Sequence, residues 1–414
     1  MSKQRIYILG GHQSDFSVNQ LRQGASLAQL FTHTVRTGLN ACQLEPADIE
    51  VGHVGNFEAS LFCGQSHLGG FFGHVDPAMA NMPAMRHEAA CASGSMALLA
   101  AMADLEAGRY QVACVLGLEI MRNVSGEQAA ANLRGAAWAD KEWQQTPYVW
   151  PCAFDSMIDL YDARYGLNMS HLGAISELNY NNARKNPNAQ TRAWQFSENS
   201  FSDDEQHNPT ISGRIRRNDC GQISDGAAVL FLATQQAACE YAKRHGVDLD
   251  SIPYIKGWGH INAPILFEEK LRLAQSQKTQ PTHLFPHVQQ LFKQTLNRAG
   301  MQSIEQMDGL EVHDCFSITE YMILDHSGLY PPGQAWRAVE SGDIAPDGRL
   351  PVNMSGGLIG LGHPVGATGV RMALDCYKQV CNKAGDYQIE GARDLMTFNL
   401  GGSTTTCASL IIGL

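Results

Sequence analysis

The chain repeats itself at long range, and that repeat constrains its fold more than any single motif does. Gln29-Leu30-Phe31 and Thr34 recur as Gln290-Leu291-Phe292 and Thr295 at an offset of 261, and Glu50-Val51 recurs as Glu311-Val312 at the same offset. Several matches in one register point to an internal duplication. Each copy alternates short apolar β-type runs with helical ones. The first runs RIYILG, ASLAQLFTHTVRTGLNA, IEVGHVGNF, the helix after Cys91, then VACVLGLEI. The second runs IPYIKGWGH, HVQQLFKQTLNRAG, GLEVHDCF, GHPVGATGVRMALDCYKQV and DLMTFNLGGSTTTCASLII. This order implies βαβ units around a buried, mostly parallel sheet. An α/β fold of two halves, residues 1–250 and 251–414, also suits a chain of 414 residues, too long for one ordinary core. Residues from about 120 to 220 break the rhythm with Trp138, Trp143, Trp150, Trp194 and the polar run ENSFSDDEQHNP. So many aromatics exclude a solvated linker, and the stretch reads as a subdomain inserted in the first half, either a packing cap or a lid.

Composition excludes several classes of function. A net charge of −11 argues against nucleic acid or an anionic membrane as partner. The first apolar run, IYIL, is far too short for a signal peptide or a membrane span, and the ending IIGL is no peroxisomal address, so a cytoplasmic protein is expected. Eleven cysteines, with no CxxC pair, read as reduced thiols that are mostly core fillers, and no metal site is expected.

In an open α/β sheet, ligands collect where strands end and helices begin. Four such turns stand out. In CASGS, Cys91 stands at a helix N-terminus, where the helix dipole and backbone N–H groups favour thiolate; the bland alternative is a small buried cysteine that starts a packed helix. NMSGGLIGLGHPVGATG holds six glycines between Gly356 and Gly369, a density that means close backbone approach to a ligand or to another backbone. Its GxGxxxG spacing lies far from the N-terminal strand that a dinucleotide site would use. His363 in this turn is read as the counterpart of Cys91, so that a pseudo-twofold would bring thiol and base together. His313-Asp314-Cys315 ends the strand GLEV, and so many polar groups are costly to bury without purpose. In FNLGGSTTT, Gly401 and Gly402 offer bare backbone N–H groups to a developing oxyanion. Arg214, Arg216 and Arg217, with Lys185 upstream, form the inserted region's one basic cluster, which would suit an anionic ligand.

With these turns in hand, the sequence resembles the thiolase superfamily, and within it the sterol-carrier-protein type. CASG is similar to the family's nucleophile loop, NMSGGLIGLGHPVGATG to its GHP loop, and HDCF to the loop marking that subtype. ISDGAAVLFLA, from Ile223 to Ala233, resembles the strand closing the first half, and Tyr165 to Gln190 the inserted loop domain. The resemblance implies a five-layered αβαβα fold, a homodimer or homotetramer, acyl-CoA substrates of lipid metabolism and no tightly bound cofactor. It implies that Cys91 carries the acyl group, with its own N–H and that of Gly401 holding the acyl oxygen. His363 would activate Cys91, His313 would serve the second oxyanion hole directly or through water, and Cys315 would be the acid/base. Gly362, Ser355 and Arg217 are expected against the substrate. One departure matters: most thiolases carry an acid/base cysteine where this chain has Asn399, while Cys407 reads as core. Two other readings stay open, and the departure suits the first of them. One is a C-acyltransferase that works with an accessory protein subunit and a non-CoA donor or acceptor. The other is a catalytically silent acyl-CoA-binding scaffold.

Overall fold

The structure, a computed structural model, describes residues 4–276 and 283–414. Its strands are β1 (Ile6–Gln13), β2 (Val51–Gly55), β3 (Ala84–His87), β4 (Val112–Glu119), a small hairpin β5 (Thr210–Ser212) and β6 (Ile215–Arg216), then β7 (Gly226–Thr234), β8 (Tyr254–Asn262), β9 (Gly309–Val312), β10 (Asp394–Gly401) and β11 (Thr406–Gly413). Every residue of β4, β7 and β11 is buried, as strands covered on both faces must be. Nine strands join in the order β3-β2-β4-β7-β1-β8-β11-β10-β9. The second half retraces the first in mirror order about the β1–β8 contact, where Tyr7 faces Tyr254. A parallel bridge from Leu310 to Val352 stands in for the missing edge strand.

The eight longest helices among the described residues are α1 (Leu27–Cys42), α2 (Ser93–Glu106), α3 (Val149–Tyr165), α4 (Ser170–Ala183), α5 (Gln235–His245), α6 (Pro286–Arg298), α7 (Ser317–Ser327) and α8 (Thr368–Val380). Ser26 starts α1 with a capping box to Gln29. Val229 and Phe231 of β7 point outward to Phe31 and Val35 of α1 and Ala238 of α5, while Leu230 and Leu232, which alternate with them, point inward. There they meet Leu98 and Ala101 of α2 and Val370 and Leu374 of α8, which touch Leu410 and Ile412 of β11 on their other side. Helices α6 and α7 cover the far face of the second half through Leu291, Phe292 and Ile318. The result is the αβαβα stack, with α2 and α8 in the middle layer.

Two sequence expectations need correction. The sheet is mixed: β2–β3, β2–β4 and β9–β10 are parallel, whereas β4–β7, β7–β1, β1–β8, β8–β11 and β10–β11 are antiparallel. The reason is connectivity, since β10 returns as β11 through the tight turn at 402–405 and β7 returns from the inserted region. Secondly, the Glu50-Val51 and Glu311-Val312 identity is out of register. The N–H of Glu50 bonds to Val112 and that of Asp308 to Asp394 at corresponding points of the ladders, so Asp308 is the true counterpart of Glu50. The helix matches do agree in burial: Phe31 with Phe292 and Thr34 with Thr295. From Thr34 to Glu50 is 16 positions and from Thr295 to Asp308 is 13, so the second half is three residues shorter over this stretch, because its helix ends earlier, at Arg298.

The N-termini of α2 and α8 cross at backbone distance. A Cβ on Gly369 would lie 2.3 Å from the Ser95 nitrogen, and one on Gly94 would lie 2.8 Å from the Gly366 carbonyl oxygen. The glycine-rich turn serves close approach to another backbone, and this crossing positions the site.

Candidate active site

Strand β3 ends at His87, and the chain then turns sharply through Ala90, which sits at φ 51°. A left-handed alanine immediately before Cys91 is a strained non-glycine conformation. The strain presents Cys91 on a short 3-10 turn leading into α2. Ser93 locks this turn, as its hydroxyl accepts from the Ala89 N–H at 2.9 Å and donates to the Ala90 carbonyl at 2.6 Å. Across the crossing, Val365–Ala367 forms the matching 3-10 turn before α8. CASG therefore corresponds to Gly366-Ala-Thr-Gly369, and Gly366, not His363, occupies the position equivalent to Cys91. His363 lies three residues earlier and reaches the thiol from the side.

Cys91, Cys315 and His363 line one pocket of about 350 Å³. Donor atoms of Cys91, His313 and His363 all lie within 4.8 Å of one another. Each histidine is oriented by a partner. The Thr368 hydroxyl lies 3.1 Å from the Pro364 carbonyl, its proton acceptor, so it receives Nδ1–H of His363 at 2.7 Å. Nε2 of His363 is then an unprotonated base, and it is buried without a partner in the described structure. Asn399 has its amide nitrogen 3.2 Å from the Cys91 carbonyl and 2.9 Å from Ser95 Oγ, which fixes its orientation. Its oxygen consequently accepts Nδ1–H of His313 at 2.8 Å, leaving Nε2 of His313 unprotonated. Of the two expected routes from His313 to an oxyanion, the one through water fits this tautomer.

Burial decides the protonation states. Desolvation pushes the Cys91 thiol up to about 12, although the N–H groups of Gly402 and of Cys91 itself pull it down. Thiolate was the expectation from the helix N-terminus; burial acts against it and raises the thiol. His363 is held well below the usual histidine range by burial and by the neighbouring His313 and Arg371, and burial lowers His313 to about 4. Cys315 is raised well above a normal thiol, first by burial and then by Cys91 beside it.

The other expected residues separate. Gly402 lines the pocket and aims its N–H at the Cys91 sulfur; Gly401 ends β10, with Ala89 O 2.2 Å from where its Cβ would be. Gly362, at φ 117°, turns the chain so that the N–H of His363 reaches Ser224 Oγ at 2.8 Å, a framework role rather than a substrate contact. Ser355 does not face the pocket. It is fully buried, donates to Glu311 at 2.6 Å and accepts from Arg371 at 3.0 Å, inside an ion-pair network. Within the basic cluster, Arg214 is held by Asp159 and Asp162 and Arg216 by Glu205, while Arg217 lines the pocket mouth with no ion pair to described residues. Asp314 of HDCF is structural, holding the N–H groups of Leu358 and Ile359. Cys407 is core, as expected. Tyr148, Val149, Trp150, Phe154 and Ile211 from the inserted region wall the pocket, which favours the lid over the cap. Thr368 and Ser95 were missed in the sequence; the only signal was their place in the repeated CASGS and GATG turns.

Comparison with known proteins agrees with the fold. The pattern described as "Thiolase, N-terminal domain" matches residues 6–191 and "Thiolase C-terminal domain-like" matches residues 272–414. The chain is 31% identical over 376 residues to the "Acetyl-CoA acetyltransferase" of Methanothermobacter thermautotrophicus, covering 90% of this chain and 91% of the relative. It is 24% identical to human "Sterol carrier protein 2", over 96% of this chain and 70% of that one. Among solved structures, an "Ltp2-ChsH2(DUF35) aldolase" matches with TM-score 0.77 at 18% identity, covering 99% of this chain and 97% of that one. Human mitochondrial 3-ketoacyl-CoA thiolase matches with TM-score 0.65 at 14% identity, covering 100% and 99%. These structural likenesses are of fold. The chain belongs to the thiolase family. It is an acyltransferase of that family.

Proposed function

We propose that this protein is an acyl-CoA C-acyltransferase that makes or cleaves 3-ketoacyl-CoA by ping-pong transfer through Cys91. The observation that carries the reading is the convergence of Cys91, His363 and Cys315 on one pocket. In the first half-reaction the Cys91 sulfur attacks the thioester carbonyl as His363 Nε2 takes the thiol proton. Cys315 protonates the departing CoA sulfur and is left as thiolate. That thiolate then removes the α-proton of a second acyl-CoA. The resulting enolate attacks the acyl group on Cys91, and the imidazolium returns its proton to the freed Cys91 sulfur. A thiol pushed far up by burial is a poor acid but, once ionised, a strong base, which is what so weak a carbon acid requires. Fixed donors such as the N–H of Gly402 contribute roughly 3–4 kcal/mol each to a developing oxyanion, and a positioned base about 10²- to 10⁴-fold in rate. Arg217 at the mouth would meet the anionic end of the thioester.

The test is intact-mass spectrometry after incubation with acetyl-CoA. An acetyl adduct is expected in the native protein and absent in Cys91→Ala; no adduct in the native protein would sink the mechanism. A second reading adds an accessory protein subunit, favoured by exposed Tyr148, Ile211 and Ile223 at the mouth and by the neighbour that pairs with a DUF35 protein. Turnover of acetoacetyl-CoA by the purified chain alone would exclude it. We also propose a homodimer: β3 ends the sheet with Met85 exposed, an edge that invites pairing with a second copy. Light scattering should give a dimer that Met85→Glu dissociates; a monomeric native chain would exclude it. With no helix among the described residues long and apolar enough to cross a membrane, cytoplasmic residence fits these substrates.

A further inference from the structure

The nucleophile and the two imidazoles beside it are also a set of metal donors. They come from three separate turns, after β3, after β9 and before α8, so no ligand spacing in the sequence announced them. We infer that Cys91, His313 and His363 form a reversible inhibitory site for a thiophilic divalent cation, with Zn²⁺ as the physiological candidate.

The geometry is near what the ion needs. Bonds of about 2.3 Å to sulfur and 2.0–2.1 Å to nitrogen place tetrahedral donors about 3.3–3.6 Å apart, and the three atoms here lie within 4.8 Å of one another. Small side-chain rotations close the set. Nε2 of His363 is the second, independent observation: it is buried, 9% exposed as a residue, and has no hydrogen-bond partner among the described residues. Both imidazoles are oriented as metal-binding imidazoles usually are, with the far nitrogen donating to a fixed oxygen, Thr368 Oγ1 for His363 and Asn399 Oδ1 for His313. Two imidazoles and a thiolate select zinc or cobalt over magnesium or calcium. Binding forms one Zn–S and two Zn–N bonds and releases the Cys91 thiol proton to solvent. The fourth position faces the pocket and takes water. Metal and acyl group claim the same sulfur, so they exclude each other.

The inference shares Cys91 and His363 with the proposed mechanism but is tested without turnover. Co²⁺ is titrated into the purified full-length chain carrying Cys239→Ser, which removes an exposed thiol outside the site. One Co²⁺ per chain is expected, with a thiolate-to-cobalt charge-transfer band and intense tetrahedral visible bands. Zn²⁺ should displace it, and millimolar Mg²⁺ should not. Thr368→Val should weaken binding about 10- to 100-fold, as loss of an outer-shell partner does. Cys91→Ser should abolish the charge-transfer band, and His313→Gln, the second variant should the first misfold, should abolish the tetrahedral spectrum. Bands that survive in folded Cys91→Ser or His313→Gln protein, or no stoichiometric Co²⁺ at micromolar concentration, would overturn the inference. If cobalt binds but no acetyl-enzyme forms, the acyltransferase mechanism falls alone; the reverse result removes only the metal site.

Discussion

At the scale of residues, Cys91 is positioned as a nucleophile without being charged as one. Two N–H groups favour its thiolate, but burial, with the Glu119 and Glu88 carboxyls adding to it, favours the neutral form more strongly. Alkylation by iodoacetamide should therefore rise by about tenfold per pH unit from pH 6 to 9, following the growing thiolate fraction. A rate that levels off near pH 7 would show a stabilised thiolate instead. On the acid side, His363 is far too weak a base to protonate near its ordinary value, so acylation should hold its rate below pH 6.5. Cys91 and His363 were legible because a thiol and an imidazole at helix-start turns are chemically conspicuous. Asn399 was visible only as a substitution. Its work, which is to link His313, Ser95 and the Cys91 backbone, joins three segments far apart in the chain. No local pattern carries that information.

At the scale of elements, the glycines of the GHP turn were conspicuous, but the sequence left open whether they face a ligand or another backbone. The crossing of α2 and α8 answers it. Gly369→Ala would put a methyl group 2.3 Å from the Ser95 nitrogen, where neither backbone has slack. Overpacking of this kind costs about 1–3 kcal/mol and occasionally more. A clear fall in melting temperature is expected, together with loss of acyl-enzyme, because the displaced helix start carries Thr368 and so His363. Gly70→Ala, where nothing lies within 4 Å, is the control. An unchanged melting temperature in Gly369→Ala would refute the backbone crossing. The helix repeat read correctly because buried faces preserve side chains such as Phe31 and Phe292. Strand direction did not, since the period-two burial of a strand is the same in parallel and antiparallel ladders.

At the scale of the whole molecule, the two halves are stitched by buried polar groups whose titration sets stability against pH. Glu119 accepts the N–H of Phe57 and Glu58 on its own half and of Gly366 on the other, and burial pushes it up to about 7. Glu320 accepts from Asn179 and Asn353 at 2.7 and 2.8 Å, and burial with Asp314 nearby pushes it up to about 8. A carboxyl whose folded value lies above its unfolded one binds more protons in the native state, so its contribution is present below about pH 4.5 and is lost as pH rises through 8. The buried histidines act in the opposite sense. His313 and His53, lowered to about 4, favour the folded chain above pH 6.5 and cease to as pH falls through 4. Stability should therefore peak between these arms and decline into the alkaline range. Glu320→Gln keeps an oxygen for the two asparagine donors and removes the titration. It should flatten the decline between pH 6 and 8.5 in urea denaturation and leave the variant more stable than the native chain at pH 8.5. Parallel curves for the two proteins across that range would mean that Glu320 stays ionised in the fold, held by its asparagines against the cost of burial.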